Sequence, residues 1–276
     1  MLRILITGGN GNIANMIRRG LSHKYDIINV SRTEFDLLNY SQMKEYLDTH
    51  SFDIVVHTAI LGGRRTKTEN GEITHINLVM FENLLRFSDR FQMIINLDSG
   101  AIYNRSEDIL NRKEIECVSV PTDYYGFSKY IIHQRSLAFS NIMNLRIFNI
   151  FHVKEEPDRF ISVCFSAKKS GTDISIFEDK YFDFMSERDF IRVVDYYFSN
   201  NICVLPKTLN LCYSTKYKLS EIAELIVGQG SRGHIQIHDN RLLHNYCGDS
   251  AMIDSLQIGM DGLEKSLQIY ENNLMV

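Results

Sequence analysis

The segment Tyr125-Gly126-Phe127-Ser128-Lys129 sets a phenol and an ammonium four residues apart, a spacing that puts both on one face of a helix. A free phenol titrates near pH ~10, too high for proton exchange at neutral pH, and a neighbouring ammonium lowers that value by stabilising the phenolate. Such pairs are common on helix surfaces. What singles this one out is Ser99, 26 residues earlier, in Asp98-Ser99-Gly100-Ala101-Ile102-Tyr103 at the end of an apolar run that reads as a sheet strand. A hydroxyl at that point can polarise a carbonyl or stabilise a developing alkoxide, with Tyr125 carrying the proton. Ligands of open α/β sheets bind at the carboxyl ends of the strands, so a strand-end serine faces a ligand rim.

A second constellation stands at the start of the chain. The run Thr7-Gly8-Gly9-Asn10-Gly11-Asn12-Ile13-Ala14 follows a short apolar strand and opens a helix. Glycine serves where a backbone turns tightly and where it approaches a pyrophosphate, whose charge the helix N-terminus attracts. Gly8 and Gly11 suit those roles, Asn12 and Ile13 begin the helix, and Ala14 takes the place of the third small residue. The next strand ends Asn29-Val30-Ser31-Arg32-Thr33. A carboxylate there would pair the ribose hydroxyls of NAD; none stands at that point, whereas Arg32 and Ser31 suit the 2′-phosphate of NADP. NADP is therefore expected over NAD, with Asp36 and Leu37 flanking the adenine.

These residues need a scaffold with several strand ends on one rim, and the pattern supplies it. Apolar runs at 2–7, 26–31, 53–59, 93–98 and 144–151 alternate with helical periodicity at 13–21, after Ser41 as a cap, at 73–87 and at 125–139. Repeated βα units imply a parallel sheet, hence an α/β, Rossmann-type doubly wound fold. Beyond 151 the alternation loosens. The expected division is a nucleotide-binding domain over 1–152, with 187–213 returning to it, and a smaller C-terminal lobe over 153–186 and 214–276. That lobe contains the strand-like Ile174-Ser175-Ile176-Phe177, and helices are expected near 219–227 and 261–271.

Composition narrows the classes. Of 276 residues, 44% are hydrophobic and 23% charged, which excludes disordered, collagen-like and coiled-coil chains. A net charge of −4 argues against a polyanion binder, so no nucleic-acid partner is expected. Five cysteines without a CxxC pair, and histidines without metal-ligand spacing, read as free thiols and no metal site. No stretch approaches the ~18 apolar residues of a membrane span. A cytoplasmic location is the expectation that follows.

Taken together, the sequence resembles the extended short-chain dehydrogenase/reductase family of nucleotide-sugar epimerases, dehydratases and reductases. The resemblance rests on Thr7 to Ala14, His57-Thr58-Ala59, Asn77, Ser99 with Tyr103, the Tyr125/Lys129 pair, Arg146-Ile147-Phe148-Asn149 and Arg188-Asp189-Phe190-Ile191. It implies that Ser99, Tyr125 and Lys129 are catalytic and that Lys129 also holds the nicotinamide ribose. It further implies that Thr58, Ala59 and Asn77 border the cofactor. A nucleotide-diphosphate sugar is the implied partner, with Gly100, Asn149, Arg188 and, more weakly, Arg241 on the substrate side; Arg64 and Arg65 could also meet a diphosphate. The family often dimerises through two long helices, here those at 73–87 and 125–139.

Three departures choose among family activities. The 4,6-dehydratases carry an Asp-Glu pair after the serine, where this chain has Gly100 and Ala101. The segments Ser31 to Leu38 and Ile60 to Gly63 look most like the GDP-fucose synthase branch. That branch epimerises with a cysteine at the position of Ala101, and its partner histidine has only His152 as a nearby candidate. What remains is an NADPH-dependent reductase of a nucleotide-activated 4-keto-6-deoxy sugar. A nucleotide-sugar 4-epimerase and a non-catalytic NADP-binding regulator stay open as alternatives.

Overall fold

The computed structural model describes residues 1–63, 68–117, 119–228, 233–239 and 244–274. The chain divides into two compact units. The first comprises Met1–Asn104, Glu116–Ile147 and Ile191–Leu209; the second comprises Arg105–Ile115, Phe148–Phe190 and Asn210–Val276.

The first unit is built on strands β1 (Arg3–Thr7), β2 (Asp26–Val30), β3 (Ile54–His57) and β4 (Met93–Ser99), joined by helices α1 (Asn12–Leu21), α2 (Tyr40–Thr49) and α3 (Gly71–Leu85). Helix α4 (Tyr124–Ser136) leads to strand Ile142–Ile147. The six-stranded sheet runs, from one edge, 208–211, 142–147, β4, β3, β1, β2, with neighbours parallel from β2 to 142–147. The order reverses between β1 and β3, and in doubly wound sheets the ligand crevice lies outside the carboxyl ends at that reversal. All seven residues of β4 are buried, as expected of a strand covered on both faces. Leu5, Val55, Ile94, Met80, Phe81 and Leu84 share one apolar core between sheet and helices, each such side chain contributing roughly 1.5–3 kcal/mol by leaving water.

Helix starts follow side-chain chemistry. Asp123 accepts from the Gly126 N–H at 2.7 Å and so fixes the first turn of α4, while Asn70 caps α3 through the Glu72 N–H. For α2 the cap is Asn39, which accepts from Gln42 N–H at 3.2 Å, and not Ser41, which lies inside the helix. Both types cap well, but only Asn39 holds the extended backbone that a cap requires. The apolar run 144–151 is not one strand. Ile142–Ile147 pairs with β4, whereas Ile150–Phe151 pairs with Met185–Ser186, so the chain changes partner at Phe148-Asn149.

The second unit holds two-stranded parallel pairings of Ile174–Glu178 with Ile235–Asp239 and of Ile109–Arg112 with Tyr246–Gly248. Helices Phe160–Ser170 and Leu219–Val227 pack on each other and on the first of these pairings, and Leu263–Leu274 packs on Met185–Ser186. Aromatic rings make much of its core: Tyr270 stacks on Phe165, and Phe182 meets both Phe184 and Tyr246. Within it the buried Asp183 pairs with Lys216 at 2.9 Å and accepts from the Gly248 N–H. Among the described residues no helix is long and apolar enough to cross a membrane.

Candidate active site

The glycine turn closes tightly over the β1 end. Gly8 has φ +68°, and a Cβ there would stand 2.9 Å from the backbone of Ala59. A Cβ on Gly9 would stand 2.8 Å from the Val30 carbonyl, which itself accepts from the Gly9 N–H at 2.7 Å. Thr58 donates from Oγ1 to the Thr7 carbonyl at 2.7 Å, so the ends of β1, β2 and β3 are locked around the turn. Gly11, at the cap position before α1, brings no capping side chain and leaves the first-turn amides, including those of Asn12 and Ile13, without a side-chain cap. A glycine-rich turn at the sheet's reversal point, followed by uncapped amides, fits a dinucleotide pyrophosphate.

Helix α4 delivers the phenol and the ammonium. A Cβ on Gly126 would stand 2.9 Å from the Ala101 carbonyl, so α4 presses against the short helical turn Gly100–Tyr103 that directly follows Ser99. Lys129 Nζ donates to the Leu97 carbonyl at 2.5 Å, two residues before Ser99. Burial pushes the Lys129 ammonium down to about 8, Asp98 acting against that fall, so the group is still mostly charged at neutral pH. The Ser99 hydroxyl accepts from the Ala101 N–H at 3.2 Å. Tyr125 packs under a glycine: Gly63, at φ +81°, would bring a Cβ within 3.0 Å of its ring. Glu69 ties the two together, accepting from the Gly63 N–H at 2.6 Å and from the Tyr125 N–H at 3.2 Å. Asn77 spends its amide on both backbone groups of Leu61 and donates to Ser128 Oγ, and so shapes this loop.

Beneath Ser99 lies a buried charge network. Arg146, fully buried, donates from Nε to Asp98 Oδ2 at 3.0 Å and from Nη1 to Tyr103 Oη. His133 Nδ1 lies 3.3 Å from the same Asp98 oxygen. Burial alone would raise the Asp98 pKa, but the Arg146 guanidinium, with His133 and Lys129, overcomes it and holds the carboxyl at about 2. His57, whose Nδ1 meets Thr7 Oγ1 at 3.0 Å, is pushed down by burial to about 3 and stays neutral. It is therefore unsuited to proton exchange at neutral pH.

Residues 4–207 match the model of the NAD dependent epimerase/dehydratase family. The chain belongs to that family. It is similar to the GDP-L-colitose synthase of Yersinia pseudotuberculosis, 22% identical over 82% of this chain and 81% of the relative. In structure it is similar to a UDP-N-acetylglucosamine 4-epimerase from Bacillus cereus, with 18% identity, TM-score 0.83 and 100% of both chains covered. It is also similar to a dTDP-4-dehydrorhamnose reductase from Bacillus anthracis in complex with NADP, with 16% identity, TM-score 0.82, and 99% and 98% of the two chains covered. At these identities the structural likeness speaks for the fold. The family acts on nucleotide sugars with NAD or NADP.

In this family member the residues expected at the cofactor and the proton-transfer site all lie in the first unit. Asn149 and Arg188 belong to the second, where Asn149 Oδ1 accepts from Arg159 and Arg188 pairs with Asp261 at 3.1 Å. The neighbouring Asp189 is buried and accepts from Tyr213 Oη and from the Asp261 and Gly262 amides, which fixes the segment carrying Arg188. Arg64, Arg65 and Arg241 lie outside the described residues. At the end of β2, Ser31 and Arg32 sit in a turn, and Asp36 accepts from the Leu38 N–H at 3.0 Å. Three carboxylates were not anticipated from the sequence: Glu34 in the β2 turn, Glu69 beside Tyr125, and Asp98. Adjacency to Ser99 was the one signal available for Asp98.

Proposed function

We propose that the protein is an NADPH-dependent reductase of a nucleotide-activated 4-keto-6-deoxy sugar. The observation that carries this reading is that α4 bears both Tyr125 and a buried ammonium at Lys129, whose Nζ donates to the Leu97 carbonyl two residues before Ser99, with no acid pair at Gly100-Ala101. The nicotinamide, when bound, supplies the hydride. Tyr125 donates a proton from Oη to the C4 oxygen as charge develops there, and Ser99 Oγ donates a hydrogen bond to the same oxygen. Lys129 stabilises the phenolate left behind and holds the adjacent ribose. Gly8, Gly11, Asn12 and Ile13 hold the pyrophosphate, Ser31 and Arg32 the adenosine ribose end, Thr58 and Ala59 the floor of the turn. Asn149 and Arg188 bind the nucleotide diphosphate and sugar. Tyr124, Phe127 and Leu137 are exposed on and beside α4, which supports a homodimer through α3 and α4.

The test is NADPH absorbance decay with GDP-, dTDP-, CDP- and UDP-linked 4-keto-6-deoxyhexoses, with NADH in parallel. Oxidation of NADPH with one of these nucleotides is the expected result. A second reading, a 4-epimerase that retains NAD, is favoured by one observation: the Glu34 carboxylate lies in the turn after β2, where an acid suits NAD. Interconversion of C4 epimers without net cofactor consumption would establish it and overturn the reductase.

A further inference from the structure

Helix α4 begins with two carboxylates where one would do. Asp123, at the cap position, accepts from the Gly126 N–H at 2.7 Å and suffices to start the helix. Glu69, 56 residues before Tyr125, reaches the same turn from elsewhere in the chain, and its Oε2 accepts from the Tyr125 N–H at 3.2 Å. Its other oxygen, Oε1, accepts from the Gly63 N–H at 2.6 Å. One carboxylate therefore bridges the loop after β3 and the first turn of α4. A helix N-terminus favours an anion, so the bridge is a pair of charge-assisted hydrogen bonds from backbone amides.

The loop is shaped for this bridge by the side chains it lacks. Gly62 and Gly63 have φ +87° and +81°, a left-handed pair that residues with a Cβ rarely adopt. A Cβ on Gly62 would stand 2.9 Å from Glu69 Oε1, and one on Gly63 would stand 3.0 Å from the Tyr125 ring. Each missing side chain leaves the room that the carboxylate or the ring occupies. Thr74 in α3 closes the junction, donating from Oγ1 to the Tyr124 carbonyl at 2.9 Å. Tyr125 itself sits in the first turn of α4, where amides lack intrahelical acceptors and helices fray first. A phenol in that turn keeps a fixed place only if something outside the helix holds it.

We infer that Glu69 is the residue that positions Tyr125 for proton transfer, clasping Gly63 over its ring. This rests on the proposed role of Tyr125 as proton donor, and on neither the sugar nor the choice of dinucleotide. Glu69 acts through the backbone on both sides of the ring, so it is a positioning residue. Displacing a reacting group by about 1 Å costs up to about 100-fold in rate. That loss falls on turnover, since the bonds of Glu69 go to Gly63 and Tyr125 and not to the glycine turn after β1.

The experiment compares the full chain with Glu69→Ala, Glu69→Gln and Gly63→Ala, each carrying meta-fluorotyrosine, by fluorine NMR without substrate. The Tyr125 signal is assigned by its loss in Tyr125→Phe. In the parent it is expected away from the free amino-acid position, the mark of a ring packed against backbone. In Glu69→Ala it should move toward that position and sharpen. In Gly63→Ala it should move as well, because the added Cβ pushes on the ring while the carboxylate is intact. Glu69→Gln keeps one acceptor oxygen and serves only one of the two amides, so its signal should lie between, and it carries the test where Glu69→Ala does not fold. With the substrate identified by the sugar panel, kcat should fall about ten-fold or more in Glu69→Ala, while the Kd for NADPH stays within about two-fold. A Tyr125 signal unmoved by loss of the carboxylate, or a moved signal with kcat within about two-fold of the parent, would overturn the inference and leave Glu69 a structural brace. If no sugar of the panel is reduced while the signal moves as expected, the reductase reading fails and the clasp on Tyr125 stands.

Discussion

Asp98→Asn isolates the buried charge beside Ser99 at the end of β4. The substitution keeps the shape of the side chain and removes one negative charge, leaving Arg146 buried at 0% side-chain exposure without its carboxylate. At 3.0 Å and an effective dielectric of ~20, the lost attraction is about 5 kcal/mol. Breaking one side of a buried pair typically costs about 3–5 kcal/mol, and Arg146 keeps its bond to Tyr103 Oη, so the expected loss of stability at pH 7 is about 3–4 kcal/mol. The gap should depend on pH. Asp98 titrates at about 2 in the fold against 3.8 when free, so its ionisation contributes about 2.5 kcal/mol of stability above pH 4. That contribution is lost as pH falls toward 2, and the difference between parent and variant should narrow there. Urea denaturation of both proteins across that range measures it. A second readout is Lys129, whose charge Asp98 helps to retain: the variant should lose the ammonium at lower pH and move the alkaline limb of the activity profile downward. A loss below about 1 kcal/mol with no narrowing on acidification would refute the paired-charge account of the network.

Tyr125→Phe removes the proposed proton donor and leaves the ring that packs under Gly63, so turnover should fall at least about 100-fold while dinucleotide affinity changes less than about two-fold; stopped-flow assays and titration check the two halves. Gly8→Ala places a Cβ 2.9 Å from the Ala59 backbone at φ +68°, and should cost about 1–3 kcal/mol and abolish dinucleotide binding, read by denaturation and calorimetry. Glu155 is raised by burial to about 7, with Arg159 opposing, and its Oε1 has no hydrogen-bond partner. The fold therefore holds a proton that the unfolded chain releases above about 4.5, and stability falls as pH rises from there to about 7. Glu155→Gln should thus gain about 1–2 kcal/mol at pH 8, discounted for partial solvent access, and nothing at pH 4.5; equal gains at both pH values in calorimetry would contradict it.

What was legible in the sequence follows from how local each signal is. Gly8, Gly11 and Ala14 lie in or beside one turn, and Tyr125 and Lys129 share one helix face, so spacing is enough to make them candidates. The parallel sheet was equally plain, because β1 to β4 and their helices alternate period and composition. The features that escaped depend on where the chain returns. Ile142 to Phe151 is one apolar run in sequence, yet its halves join different sheets, and neither period nor composition marks the change at Phe148-Asn149. Arg105–Ile115 leaves the first unit to pair with Tyr246–Gly248, a partner 137 residues away at Asp108 and Asn245.

The same distinction divides the chemistry of the site from its selectivity. Asp98 and Arg146 carry charge in strand positions, where pattern reading assigns such residues to solvent; only β4 lying against strand Ile142–Ile147, which pairs Asp98 with Arg146 in register, shows them buried together. Glu34 illustrates it most sharply. No acid stands at the strand end itself, but the Ser31 turn folds the chain back so that an acid three residues on brings a carboxylate to it. The rule linking an acid to NAD is a rule about position in space, and position in sequence stands for it only while the strand remains straight. Where a turn intervenes, the groups that stand at the strand end are set by the turn's hydrogen bonds, here those of Ser31 and Thr33 to Glu34, and these are read from the fold.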